Sequence, residues 1–407
     1  MQSQGRIEIQ RRSIARSFVL KVASRCNWNC DYCYVYHKSD TSWRTRPKFM
    51  LQPVFDAALR RIRDYAVHHG RPFVRLTFHG GEPCLLGPKR FAAMCETAHA
   101  ILAPVEARLT IQTNGTLIDE AWAETLRQYR VNVGVSIDGP EDIHDRHRID
   151  HRQKGSHASV VRGVRALCDA GVPSAALCVI PSGERDPLRV HEAIASMGFD
   201  SIDYLFPDVS WEEHSTLCAV HGPTPVADFL APIADLWASN ALRGPKVRIF
   251  DQIAKIVMGG RSDQDTFGGG AMPYIFIEAD GAIEGLDVLR LCYDGASSSG
   301  LSVFDHSLAD FGDGEALASL AFRGDIPTPV ACGLCAEVAT CAGGYLPHRY
   351  RPNPSIPVTQ RFDNPSVWCA DIQRLFAIVR EILGVDHDET AMRAEALRSM
   401  AGVQVQT

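Results

Sequence analysis

No run of about eighteen apolar residues occurs anywhere in the chain, which excludes an ordinary membrane-spanning helix. The opening MQSQGRIEIQRRS lacks the apolar core of a secretory signal. Excess basic charge is missing too: 42 Lys and Arg stand against 48 Asp and Glu, a formal net charge of -6. Without a broad positive field, nucleic acid is not expected as the main partner. Neither an internal repeat nor a long low-complexity tract is found. These absences point to a cytoplasmic globular protein that engages neither membrane nor nucleic acid. At 407 residues, 45% hydrophobic and 22% charged, the chain is too long for one ordinary core and is expected to form a large domain and a smaller one. In a reducing compartment its 13 cysteines are expected as metal ligands, catalytic groups or core fillers, not as disulfides.

What is present begins with an alternation of short apolar runs and helical segments. SFVLKVAS (17–24), FVRLTF (73–78), RLTIQT (108–113), VNVGVSI (131–137), SAALCVI (174–180) and SIDYLF (201–206) read as buried parallel strands. Gly70, Gly171 and Gly198 stop three of the helices between them. Six such strands with right-handed crossovers predict an α/β fold, an open or partly closed (β/α)6 barrel. Chemistry in these sheets gathers at the carboxyl ends of the strands. Each unusual polar motif sits at such an end: the cysteine cluster after the first strand, HGGEP (79–83) after the second, Asn114-Gly115 after the third and SIDGP (136–140) at the fourth. We expect an N-terminal segment over 1–16, the barrel over 17–210, a Pro/Gly-rich bridging region over 211–270, a loop-rich cysteine domain over 271–380 and a helical tail over 381–407. Only about sixteen residues precede the first strand, so no leader-binding module is expected there.

CNWNCDYCYVY (26–36) places Cys26, Cys30 and Cys33 on one tight loop. Structural zinc takes four ligands, which paired CxxC units supply more naturally. An iron-sulfur cluster also needs four iron ligands, and here one iron would stay open to bind a small molecule.

The spacing CxxxCxxC, with an aromatic before the third cysteine, closely resembles the signature of radical S-adenosylmethionine enzymes. The resemblance implies a 4Fe-4S cluster whose open iron chelates S-adenosylmethionine, and reductive cleavage to a 5'-deoxyadenosyl radical. It implies that Tyr32 lies beside the adenine and that the segment Gly80-Gly81-Glu82 holds the methionine amino group. Asn114 and Ser136 would contact the nucleoside and methionine moieties, and Arg148 would pair with the methionine carboxylate through its planar fork.

Towards the C-terminus, CGLCAEVATC (332–341) and WCAD (368–371) supply Cys332, Cys335, Cys341 and Cys369. This resembles the SPASM extension of radical enzymes, in which these four match the ligands of the outer auxiliary 4Fe-4S cluster. The inner cluster's pattern is broken: Tyr345 stands at one expected cysteine and Leu286 at another, with Cys292 the spare thiol nearby. A structural zinc at the four outer cysteines is the alternative. Cys84, Cys95, Cys168, Cys178 and Cys218 are expected as core or surface thiols.

FHGGEPCLLG, EADGAIEGLDVLR, CAGGYLPHRY and FDNPSVWCAD resemble the FxsB-type peptide maturases, a group that includes enzymes forming three-residue cyclophanes. The resemblance implies a ribosomal precursor peptide as substrate, crosslinked between an aromatic ring and a nearby Cβ. It also implies an external electron donor such as flavodoxin or ferredoxin. Asp287 matches the base of related sulfatase-maturing enzymes, a role that fits the proton lost as the bond forms. Formylglycine-type oxidation and thioether formation are the alternatives within this chemistry, and a non-catalytic zinc or iron-sulfur scaffold is the alternative outside it.

Overall fold

The structure is a computed structural model and describes residues 14–240, 244–262, 264–268 and 272–403. Most of the N-terminal segment expected over 1–16, and the last four residues of the tail, lie outside the described residues.

Six strands, β1 (Ser17–Ala23), β2 (Phe73–Gly80), β3 (Glu106–Thr113), β4 (Asn132–Ser136), β5 (Ser174–Val179) and β6 (Ser201–Leu205), lie side by side in chain order. All five pairings among them are parallel. Each begins and ends within two residues of the run read from the sequence. The runs are apolar throughout because helices cover the sheet and bury it; β1 has six of its seven residues buried. The crossovers follow the expected order: α1 (Gln52–His68), α2 (Pro88–Leu102), α3 (Glu120–Gln128), α4 (Glu141–His147), α5 (His157–Asp169) and α6 (Pro187–Ala195). Helix α1 buries Phe55, Leu59 and Ile62 at the three-to-four spacing of one face. Asp119 and Asp186 cap α3 and α6 by accepting from the Trp122 and Arg189 amides.

Past residue 210 the alternation of strand and helix stops, as expected. The bridging region folds into α7 (Trp211–His221), α8 (Pro225–Asn240), the two-residue strand β7 (Lys246–Val247) and α9 (Arg248–Val257). Strand β7 extends the sheet beside β6. Beyond it, β8 (Tyr274–Ile277) pairs parallel with the free edge of β1, and β9 (Ala282–Glu284) and β10 (Ser298–Ser302) continue antiparallel. The result is one ten-stranded sheet. The core is shared in the same way: Phe18 and Phe78 of the barrel belong to one buried cluster with Ile277, Trp368 and Phe376. A smaller cluster around Leu289, Leu346 and Phe362 underlies the C-terminal loops. No described helix is long and apolar enough to cross a membrane.

Two ties cross the expected boundary. Asp371, at the start of helix Cys369–Leu383, accepts from the Val226 and Ala227 amides at 2.8 Å each. A distant carboxylate thus satisfies the open amides of α8. The other tie is a buried charge network. Arg290 lies 2.7 Å from both Glu278 and Glu284, and Arg46, from the segment after β1, lies 2.8 Å from Glu278 and also grips Glu284. Buried charges persist only when paired and hydrogen-bonded. Replacing one partner leaves the others uncompensated, so Arg290→Met is expected to cost about 3–5 kcal/mol, read as a lower urea midpoint. An unchanged midpoint would show that Arg46 alone neutralises both glutamates.

Candidate active site

The exits of β1 and β2 are pressed together. The Gly81 amide donates to Ala23 O at 2.7 Å and the Glu82 amide to Arg25 O at 3.0 Å. A side chain cannot fit here: a Cβ on Gly80, whose φ is +147°, would stand 2.0 Å from Ala23 O. One on Gly81 would stand 2.0 Å from the Tyr36 hydroxyl. This contact fixes where the cysteine loop leaves the sheet. The loop then turns on itself, with the Cys33 amide donating to Cys30 O at 3.1 Å and the His37 amide to Cys33 O at 2.9 Å. Trp28 Nε1 anchors it to Thr116 Oγ1, beyond β3, at 2.8 Å.

Cys26, Cys30 and Cys33 all line one cavity of about 370 Å3. Burial pushes all three thiols up, Cys30 to about 11, and repulsion between thiolates adds to it at Cys26 and Cys30. Such thiols ionise when a bound metal group supplies positive charge. Among the described residues no three His, Cys, Asp or Glu side chains are placed to hold a single metal ion, whose thiolate ligands would sit about 2.3 Å from it. Three thiols on one loop are a donor set that would fit a 4Fe-4S cluster with one iron left open.

The other residues read from the sequence gather at the same strand ends. Gly80, Gly81, Asn114, Ser136, Tyr32 and Arg148 line the cavity. Glu82 does not: it is fully buried behind the wall and accepts from the Cys84 amide, Thr113 Oγ1 and the Asn114 amide at 2.7–2.8 Å. Its carboxylate ties the β2 exit to the β3 exit. Asn114 Nδ2 donates to Asn27 Oδ1 at 2.9 Å, and Ser136 Oγ accepts from Gln112 at 3.2 Å. Arg148 is held by Asp138, with Nε 2.7 Å from Oδ2, and the Tyr32 hydroxyl donates to the same oxygen at 2.5 Å. Burial alone would raise the Asp138 carboxyl; Arg148, His144 and Tyr32 together bring it below the usual range. Asp138 stands in SIDGP two residues after Ser136, and that position is the one signal the sequence offers for it.

Asp287 is buried at the start of the short helical turn Asp287–Leu291 and does not itself line the cavity, although its neighbours Tyr34 and His79 do. Its Oδ2 pairs with Lys21 of β1 and accepts from the Tyr34 hydroxyl at 2.7 Å. Oδ1 has no hydrogen-bond partner among the described residues. Burial would raise this carboxyl, but Lys21, His79 and the Tyr34 bond hold it at about 2. Lys21 Nζ also lies 3.1 Å from His79 Nδ1, and burial with the Lys21 charge brings His79 down to about 3. Sequence reasoning passed over Lys21, although a lone charge in an otherwise apolar strand was visible in SFVLKVAS. It also passed over the far wall of the cavity, formed by Asp203, Asp208, Asp265, Tyr345 and His348.

Cys332, Cys335, Cys341 and Cys369 converge around a separate small void of about 20 Å3. Gln373 Nε2 lies 3.6 Å from the Cys335 sulfur and 3.7 Å from that of Cys369. Burial pushes the Cys341 thiol up to about 12. Tight turns at Gly343 and Gly344 (φ +91° and +76°) bring the loop round, and a Cβ on Gly343 would meet Pro329 at 2.7 Å. Cys292 stands apart, buried with its sulfur 3.8 Å from Pro347 O. Of the five thiols expected as core or surface groups, Cys84, Cys95 and Cys178 are buried, Cys218 is half-buried and Cys168 is exposed.

Comparison with known proteins agrees with this geometry. The radical SAM superfamily model matches residues 20–206. A cysteine-type anaerobic sulfatase-maturating enzyme of Clostridium perfringens is 28% identical over 273 residues, 66% of this chain and 73% of that protein. A serine-type counterpart from Bacteroides thetaiotaomicron is 32% identical over 163 residues, 40% of this chain and 38% of its own. Among solved structures, native anSMEcpe with bound AdoMet superposes with a TM-score of 0.74 at 20% identity, covering 90% of this chain and 98% of that one. Streptococcus suis SuiB bound to the precursor peptide SuiA gives 0.52 at 12% identity, over 82% and 72%. Residues 20–206 thus form a radical SAM domain, and the protein is an enzyme that employs a 4Fe-4S cluster and S-adenosylmethionine.

Glu82 offers a test of how the site is assembled. Glu82→Gln sets an amide NH2 against backbone donors and is expected to cost about 1–3 kcal/mol, with weaker S-adenosylmethionine binding because the β2 and β3 exits loosen together. Wild-type stability and affinity by denaturation and calorimetry would remove that structural role.

Proposed function

We propose that this enzyme oxidises a side chain of a peptide or protein, with S-adenosylmethionine beside Cys26, Cys30 and Cys33 and the substrate in the remainder of the same cavity. The observation that carries the reading is that one cavity is lined both by the three-cysteine loop and by Tyr345 and His348 of the C-terminal third. When bound, the cluster and S-adenosylmethionine supply a carbon-centred radical that takes a hydrogen atom.

Around that chemistry the chain binds and orients. Gly80 and Gly81 leave room for the methionine end to approach the backbone. Arg148, neutralised and aimed by Asp138, meets the methionine carboxylate. Tyr32 flanks the adenine, with Asn114 and Ser136 at the nucleoside and methionine moieties. Cys332, Cys335, Cys341 and Cys369 would hold an auxiliary 4Fe-4S cluster, with an external donor such as flavodoxin or ferredoxin providing electrons. Asp287 takes the substrate's proton through Oδ1 while Lys21 and Tyr34 fix its orientation. Lys21 makes it a weak base but keeps it ionised, and a weak base suffices for the strongly acidic species that would be left once a second electron passed to the auxiliary cluster those four cysteines would hold.

Two products fit. A crosslink between an aromatic ring and a nearby Cβ of a ribosomal precursor peptide is favoured by the four sequence phrases noted above. Formylglycine formation from Cys or Ser is favoured by the sulfatase-maturating relatives of both types. An aldehyde-reactive hydrazine label separates them, since only formylglycine carries the aldehyde. Tandem mass spectrometry then locates a crosslink. Intact peptide under reducing, anaerobic conditions with S-adenosylmethionine would sink both.

Reconstituted wild type is expected to hold about eight irons, two clusters of four. The variant lacking Cys332, Cys335, Cys341 and Cys369 is expected to hold about four; an unchanged count would dissolve the auxiliary assignment. Asp287→Asn is expected to lower modified peptide about 100-fold, the scale of general-base loss, and far more than it lowers deoxyadenosine release. A parallel fall of both would make Asp287 a structural residue.

A further inference from the structure

The two walls of the cavity differ in how their charges are matched. On the cysteine side each buried charge has its opposite: Arg148 is paired with Asp138 and Lys21 with Asp287. The far wall carries Asp203, Asp208 and Asp265. Arg248 Nη1 lies 2.7 Å from Asp203 Oδ2, and Gln264 donates to both oxygens of Asp203 at 3.2 Å. Among the described residues no cation pairs with Asp265. His348 Nε2 lies 2.9 Å from Asp208 Oδ1, which leaves Nδ1 as the ring nitrogen turned to the cavity lining. His348 is 2% exposed and Nδ1 finds no partner, an arrangement that buried polar groups seldom keep without a ligand.

Three carboxylates line this wall beside an unpartnered imidazole nitrogen, with Arg248 and Gln264 already committed to Asp203. Burial and then the neighbouring Asp203, Asp287 and Asp208 charges raise Asp265 to about 6, the behaviour of a carboxylate crowded by its own kind and short of a countercharge.

We infer that this wall is a subsite for a cationic side chain, a lysine or arginine that the substrate peptide carries close to its reacting residue, with Asp265 as the chief determinant. Guanidinium and ammonium groups bring several donors and no acceptor, the complement of what the wall presents. A neutral substrate would leave Asp265 and His348 Nδ1 desolvated without partners, and an acidic one would meet like charge, so the wall discriminates by rejection as well as by attraction. The inference rests on the proposed reading of the cavity as a peptide site.

The test uses reconstituted holoenzyme with S-adenosylmethionine and short, acetylated and amidated fluorescent peptides. They are identical except at one position near a central cysteine or tryptophan, which carries Lys, Arg, norleucine or Glu, with that position moved along the peptide in separate sets. Binding is followed by anisotropy and modification by mass spectrometry. In at least one register, Lys and Arg peptides are expected to bind about tenfold or more tightly than the norleucine peptide, the scale of a charge-assisted hydrogen bond, and Glu peptides more weakly still. Asp265→Asn should shrink the preference to about twofold, and Asp265→Lys should turn it towards Glu. Iron content and circular dichroism matching the wild type establish that each variant is folded. Equal binding of Lys and norleucine peptides in every register overturns the inference, as does a preference untouched by both variants. Preferential binding of Lys peptides without any modification would uphold the subsite and sink the proposed function. Modification indifferent to charge would do the reverse.

Discussion

The site depends on one steric constraint, the absence of space between the exits of β1 and β2. Two glycines there let backbone meet backbone, and the resulting hydrogen bonds to Ala23 and Arg25 decide where the cysteine loop begins. Glu82 passes the constraint on to β3 through the Thr113 hydroxyl and the Asn114 amide. Asn114 then reaches Asn27 in the loop itself. The loop, the glycine pair and the third exit are therefore a single closed circuit, and no member can shift alone. Preorganisation of this kind lets a cofactor meet its ligands without paying for their ordering.

Charge is arranged around this circuit by pairing. Lys21 projects from a strand whose other inner neighbours are apolar, and Asp287 meets it from 266 residues further along the chain. Arg148 and Asp138 form a second pair on the opposite side of the cysteines. Each pair keeps a polar group in place within a largely apolar cavity at little net charge, so the electrostatics of the cysteine side are left to whatever binds there.

The strands and the first cysteine cluster were legible because their signals are local. An apolar run of five to eight residues, a glycine stop or a CxxxCxxC spacing is complete within a dozen positions. The barrel was readable for that reason. What escaped was long-range or short of periodicity. YIFI, the core of β8, is four residues in a stretch rich in glycine, and only its parallel pairing with β1 makes it a strand. Lys21 and Asp203 were visible as lone charges inside apolar strands, which signals a partner or a ligand, yet the partner's identity is set by the fold. Tyr345 stands where the resemblance expects a cysteine, and only the structure makes it part of the cavity wall. Glu82 was legible as a site residue but not as a support behind the wall, because a motif says nothing about which way a carboxylate turns.

The shared sheet changes what counts as a module in this protein. Strand β8 takes the edge of β1 that would otherwise end the barrel, and Asp371 closes the open amides of α8 from more than a hundred residues away. A barrel severed near the middle of the chain would expose a long apolar strand edge, the usual template for aggregation, together with an uncapped helix. Recombination could therefore not exchange the C-terminal third as a ready-made cassette. Any new sequence arriving there must bring its own edge strand for β1 and its own carboxylate for α8.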